Sequence, residues 1–106
     1  MNLLHDFEGL AIRLTDERRD HILDHPEMES MELAIEETLL HPERVVQSAS
    51  DAQARLYYRL YFRTIVGSKL LCVIVKTLDQ DAFVLTAYLT DRVKRGMQIW
   101  PPTSAK

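Results

Sequence analysis

Arg55, Tyr57, Arg59, Tyr61 and Arg63 alternate along the chain with Leu56, Tyr58, Leu60 and Phe62. Successive side chains on a β-strand point to opposite sides, so this spacing predicts one face of arginines and tyrosines and another that is apolar. Guanidinium groups neutralise phosphates and aromatic rings stack unpaired bases. The first set therefore has the chemistry of an RNA-binding strip, and Lys76 on the following strand adds a cation. Further along, Phe83, Leu85, Ala87 and Leu89 predict an apolar side, leaving Thr86, Tyr88 and Thr90 opposite, beside Val84. Hydroxyls there can donate to a phosphate, and a tyrosine can transfer a proton where its surroundings shift its pKa. Parity thus groups Arg59, Thr86 and Tyr88 on one uncovered face. The same pattern also fits a solvated face whose arginines pair with acidic neighbours.

His21 and His25 lie four residues apart, which on a helix turns both imidazoles to one side. A helical zinc site of the metalloprotease type needs a glutamate after the first histidine and a third ligand. Here Ile22 follows His21, so no metal site is expected. A proton-transfer role needs only one of the two histidines. Three glycines, Gly9, Gly67 and Gly96, make neither a phosphate-binding loop nor a dinucleotide-binding turn, and no cofactor is expected. The single cysteine, Cys72, lies within the apolar run Leu70–Val75 and reads as a buried thiol without nucleophilic use.

The elements that must carry these residues follow from periodicity and punctuation. A short strand is expected over residues 10–14, and Thr15-Asp16 offers side-chain oxygens to cap a first helix from Asp16 to about Asp24. Pro26 disfavours helical backbone at His25 and restarts the chain into a second helix near Glu27 to Leu40, in which Met28, Met31, Ile35 and Leu39 recur at helical spacing. Glu27, Glu29 and Glu32 complement the positive N-terminal end of that helix. Strands follow near 45–48, 54–63, 69–76 and 82–90, separated by turn residues; residues 91–96 carry no clear signal, and Pro101-Pro102 ends ordered structure. The expected fold is one α+β domain over residues 1–106, ordered from about 10 to 100. Its two N-terminal helices pack on one face of an antiparallel β-meander of four to five strands.

Composition sets outer bounds. A chain of 106 residues is long enough for one core without metal or disulfide staples. No apolar run of membrane-spanning length and no signal-peptide pattern occurs, so a cytoplasmic protein without membrane contact is expected. The net charge of −3 conceals an asymmetry: residues 1–50 hold twelve Asp and Glu against four Lys and Arg, while residues 51–106 hold four against nine. The basic charge lies in the half that reads as sheet, which fits either a polyanion site on one face or an acidic helical surface opposite a neutral one.

Ordered short motifs from Leu14 to Pro101 carry a resemblance. They are Leu14-Thr15-Asp16-Glu17, His21-Ile22, His25-Pro26-Glu27-Met28 and Ile35-Glu36-Glu37-Thr38-Leu39, then Leu56-Tyr57-Tyr58-Arg59, Val73-Ile74-Val75-Lys76, Phe83 to Tyr88, and Lys94-Arg95-Gly96 through Trp100-Pro101. In this the chain resembles small phage and bacterial domains of the barnase/EndoU/colicin/RelE-like nuclease superfamily. The resemblance implies a metal-independent, toxin-like ribonuclease fold whose open sheet face holds the active site. Carried onto this sequence, it implies His21 or His25 as proton-transfer groups, Arg59 as phosphate clamp, and Thr86 and Tyr88 as partners. The carboxylate that barnase-like members use as base on the sheet is missing from residues 54–63 and 82–90.

The expected function is an endoribonuclease that cleaves RNA by attack of a ribose 2′-hydroxyl on the adjacent phosphate, with His21, His25, Arg59, Thr86 and Tyr88 as the catalytic set. Arg55, Tyr57, Tyr61, Arg63 and Lys76 are the expected RNA-binding set. The alternative is a non-catalytic RNA-binding or protein-docking domain of the same fold, whose arginine strip meets an acidic, antitoxin-like protein. Burial of Tyr57, Tyr61 and Tyr88 in a homodimer is a third reading.

Overall fold

The computed structural model describes residues 2–103. The chain begins with strand β1 (Asn2–His5), turns back into β2 (Ala11–Leu14), and only then enters helix α1 (Asp16–Leu23). Gly9, with φ near 87°, supplies the left-handed backbone that the β1–β2 turn needs. The Thr15 side chain accepts from the Arg18 N–H at 3.1 Å, as expected of the cap. His25 is extended, and Pro26–Met28 makes a single 3₁₀ turn rather than the start of a long helix; helix α2 covers Glu32–Leu40. Met28, Met31, Ile35 and Leu39 are all buried, the outcome their spacing predicts.

Strands β3 (Arg44–Ser48), β4 (Ala54–Thr64), β5 (Gly67–Leu78) and β6 (Asp81–Thr90) form an antiparallel run, and a last strand, β7 (Gly96–Trp100), pairs with β3. The strand order is β1-β2-β6-β5-β4-β3-β7, with β2 parallel to β6 through the Arg13–Phe83 register. The expected pair of N-terminal helices on a four- to five-stranded antiparallel meander is therefore overturned. The sheet is mixed and seven-stranded, and its two α-helices, of eight and nine residues, sit between strands β2 and β3. The order expected from about residue 10 begins instead at β1. Among the described residues, no helix is long and apolar enough to cross a membrane.

Strand parity is the second correction. The core beneath the helices contains Tyr57, Leu71, Val73, Val75, Val84 and Ala87, so the arginine and tyrosine side of β4 is the helix-covered side. The opposite side holds a smaller cluster of Val46, Leu56, Tyr58 and Cys72, with Tyr88 and Val93 packed against it. This second side is covered by the connection from β6 to β7, which must pass three strands to reach β3. The Lys94 N–H donates to the Tyr58 hydroxyl at 2.9 Å on the way. Both sides of the central strands are thus buried, and both parities of β4 carry large side chains for that reason.

Polar anchors let aromatic rings enter the helix-side core. Asp6 is 2 % exposed, and its carboxylate accepts from the Tyr57 hydroxyl at 2.7 Å and from the N–H groups of Glu8 and Leu10 at 2.9 Å each. Tyr61 reaches Glu37 at 2.6 Å, and Arg59 donates to the His41 carbonyl at 2.7 Å. At the other end of the sheet, a Cβ on Gly96 would overlap the Gln47 carbonyl oxygen and Val46, so β7 approaches β3 more closely there than a side chain permits.

Two outcomes follow for stability. Asp6→Ala strands the Tyr57 hydroxyl and two N–H groups in a dry interior and is expected to cost about 3 kcal/mol in urea denaturation, with Tyr57→Phe costing about 1 kcal/mol. A loss below about 0.5 kcal/mol for Asp6→Ala would contradict the anchoring role. Gly96→Ala is expected to cost on the order of 2 kcal/mol and to raise amide exchange in β7 and β3. Unchanged exchange in those strands would show that the close approach is dispensable.

Candidate functional site

The expected catalytic set divides between the two sides of the sheet. Arg59 stands opposite Leu71 on the helix side, while Cys72 lies between Tyr58 and Tyr88 on the crossover side, and Thr86 lies opposite Ile74. Directly paired residues share a side, so Arg59 cannot face a phosphate held at Thr86 and Tyr88. Its guanidinium is committed to the His41 carbonyl and to Glu37 at 3.9 Å. The reading of β6 fails in one detail, because its register slips next to Leu85, between Ile74/Thr86 and Val75/Val84. That bulge brings Val84 into the same core as Ala87, while Thr86 and Tyr88 keep the opposite side.

The expected RNA-binding strip is dispersed by its own hydrogen bonds. Tyr57 is buried on Asp6, and Arg55 lies 3.4 Å from Glu8 and 3.8 Å from Asp6. Tyr61 is bound to α2, and Lys76 is paired with Asp51 at 2.5 Å. Arg63 is exposed near the β4–β5 turn. No continuous cationic and aromatic surface results, because β4 spends this side on packing beneath α2.

A different grouping forms beside β6. The β2–β6 ladder ends at Phe83, and the 3₁₀ turn with its flanks lies against the exposed edge of β6 beyond it. There His25, Glu27 and Met28 meet Thr86, Ala87, Tyr88 and Leu89 around a cavity of about 120 Å³. Pro26 sets this geometry: by ending α1 it holds His25 extended and turns Glu27 back toward the sheet. Two of these lining residues carry a buried polar atom without a hydrogen-bond partner, Glu27 Oε1 and the Tyr88 hydroxyl, the latter on the side of Cys72. Buried polar atoms are nearly always satisfied, so these two residues single out the region. The His21 and His25 rings pack edge to face with centroids 6.0 Å apart, so His21 stands behind His25. The Lys94 ammonium lies 5.6 Å from the centre of the Tyr88 ring and brings a cation to the same region.

Of the residues named from the sequence, the structure brings His25, Thr86 and Tyr88 together; Glu27 and Lys94, which join them, were not named for this site. Glu27 was assigned to the dipole of a helix that begins five residues later; its place directly after His25-Pro26 was the available signal. A carboxylate, that of Glu27, thus comes to the edge of β6 from a turn. Among the described residues, no group of three or more His, Cys, Asp or Glu side chains is arranged to hold a metal ion. Comparison with protein-family models, curated proteins and solved structures finds no match to the chain.

Burial governs the tyrosines. It pushes Tyr58 up to about 12 against the opposing Lys94 N–H, and, together with the Glu37 hydrogen bond, pushes Tyr61 up to about 12. Burial and then the Asp6 contact raise Tyr57 further. Tyr88 is raised by burial and then by Cys72, although no hydrogen bond of ordinary geometry reaches its hydroxyl. Cys72 is raised by burial as well. Tyr88 is therefore a neutral O–H donor at physiological pH, and Cys72 an unreactive thiol.

The sign of the pH dependence follows. All four tyrosines hold their protons more tightly in the folded state than at the unfolded value near 10, so they contribute stability that is complete below about pH 10 and is lost as pH rises toward 12. Phenolate absorbance at 295 nm is expected to stay flat to about pH 11 in the folded protein and to rise only with unfolding. A transition near pH 10 in folded protein would contradict this burial.

Proposed function

We propose that the cavity beside β6 is the centre of a metal-independent endoribonuclease. The observation that carries this reading is the meeting of His25, Glu27, Thr86 and Tyr88 around one cavity, two of these residues carrying a buried polar atom without a protein partner. The motif resemblance to barnase/RelE-like nucleases supports it, and Glu27 supplies the carboxylate that the strands lack.

In this reading the Glu27 carboxylate removes the proton from a ribose 2′-hydroxyl, and the 2′-oxygen attacks the adjacent phosphorus. The His25 imidazolium donates a proton to the departing 5′-oxygen. A 2′,3′-cyclic phosphate and a 5′-hydroxyl end are the products. The O–H groups of Thr86 and Tyr88 donate to the non-bridging phosphate oxygens as charge develops, and the Lys94 ammonium stabilises the added charge. The high pKa of Tyr88 suits a donor that must stay protonated. Arg59, on the other side of the sheet, has no part.

Cleavage of single-stranded RNA in EDTA tests this. The intact protein is expected to yield cyclic phosphate ends and to leave an all-2′-deoxy substrate untouched. His25→Ala and Glu27→Gln are expected to lower the rate by about a hundredfold or more, whereas Arg59→Ala stays within about threefold of the parent. Equal rates in the parent, His25→Ala and Glu27→Gln would assign the activity to a contaminant and sink the proposal. Lys94 beside Tyr88, flanked in sequence by Arg92 and Arg95, favours one second reading, a non-catalytic RNA-binding domain. Salt-dependent RNA binding without cleavage, weakened by Lys94→Ala and not by His25→Ala, would select it.

A further inference from the structure

Among the described residues, strand β1 is the outermost strand of the sheet and pairs only with β2, so its outer edge carries unpaired backbone donors and acceptors. Two concavities share Leu3, one between β1 and α2 and the other across β2 toward the β5–β6 turn. One, of about 410 Å³, is walled by Leu4, Leu14, Glu32, Leu33 and Glu36; the other, of about 390 Å³, includes Arg13, Leu78, Asp79 and Asp81. Leu33 is 84 % exposed, Leu3 56 % and Leu78 44 %, which is much apolar surface to leave in water around one short strand. Four carboxylates stand in these walls; Arg13 is bound to Asp81 at 2.6 Å and Arg19 lies 3.8 Å from Glu32, which leaves Glu36 and Asp79 without a cation among the described contacts.

We propose that this edge is a strand-addition site for an extended, basic segment of a partner protein. A strand laid against β1 bonds to its free backbone groups and sends alternate side chains to opposite sides. One set enters the groove of Leu33, Glu32 and Glu36, and the other lies on the opposite side of the sheet beside Leu3. Apolar side chains fill the leucine-lined parts while lysine or arginine ends meet the carboxylates. A second copy of this chain is the poorer occupant. Pairing β1 with β1 brings Asn2-Leu3-Leu4-His5, which has no lysine or arginine, and draws the carboxylates of both copies to one seam. The site is independent of the cavity beside β6.

The probe is a capped octapeptide of alternating Lys and Val, followed by fluorescence anisotropy on the full chain. Binding is expected, with affinity reduced at least about tenfold for the Glu–Val counterpart and at least about tenfold when alternate peptide nitrogens are methylated on the bonding edge. In the double variant Glu32→Lys and Glu36→Lys, checked for folding by circular dichroism, the preference between the Lys and Glu peptides is expected to reverse. His25→Ala is expected to bind as the parent does. Absence of Lys–Val binding, equal affinity for the two peptides, or indifference to methylation would overturn the proposal. So would a dimer in sedimentation that Leu3→Asp dissolves, since a second copy would then hold the edge.

Discussion

The arrangement of the whole sheet depends on how the β1–β2 hairpin is held against strands that come much later in the chain. Two contacts do this. Asp6, sealed from water, receives the Tyr57 hydroxyl of β4, and Arg13 makes a two-pronged contact with Asp81 at the start of β6. The first is dry and directional, so its loss leaves polar groups stranded; the second is half-exposed and contributes more to register than to stability. Everything that follows β2, including α1 and the 3₁₀ turn, inherits its position from this docking. His25 and Glu27 reach the side of β6 because the hairpin fixes where α1 starts and Pro26 fixes where it ends.

The same constraint explains why the sheet has two unlike sides. Helices cover one, and tyrosines can enter that core because each hydroxyl finds a carboxylate at its end. A crossing segment covers the other, meeting the Tyr58 hydroxyl through a backbone N–H. Chemistry is then excluded from the middle of both sides and confined to margins. The cavity next to β6 is such a margin, where a pairing strand stops and a turn takes its place.

The sequence made several local elements legible. A threonine cap, the break at His25-Pro26 and the methionine-isoleucine-leucine spacing each reflect an interaction within a few residues, and each was readable for that reason. The parity of β4 was not. Arginine and tyrosine read as an exposed side when only one side of a sheet is assumed to be covered, and nothing near Arg59 announces that residues 91–95 will cover the other. The bulge at Leu85 shifts parity by one residue with no glycine to mark it. Strands β1 and β7, four and five residues long, lack a long alternating pattern and exist through partners distant in sequence. Thr86, Tyr88 and His25 were found because residue type pointed to them. Glu27 and Lys94 were missed because only the tertiary structure brings them to Tyr88.

The parallel pairing of β2 with β6 joins residues almost seventy positions apart, as the separation of Arg13 and Asp81 records. Hairpins among β4, β5 and β6 close short loops at small entropic cost, whereas this contact must close most of the chain. The cavity beside β6 takes one wall from β6 and the other from the turn at His25–Met28, which follows β2 through α1. A chain still being synthesised, or one only partly folded, therefore possesses His25 and Glu27 without Thr86 and Tyr88 beside them. The cavity is therefore complete only when the fold itself is, because the segments that line it meet through the longest closure in the sheet.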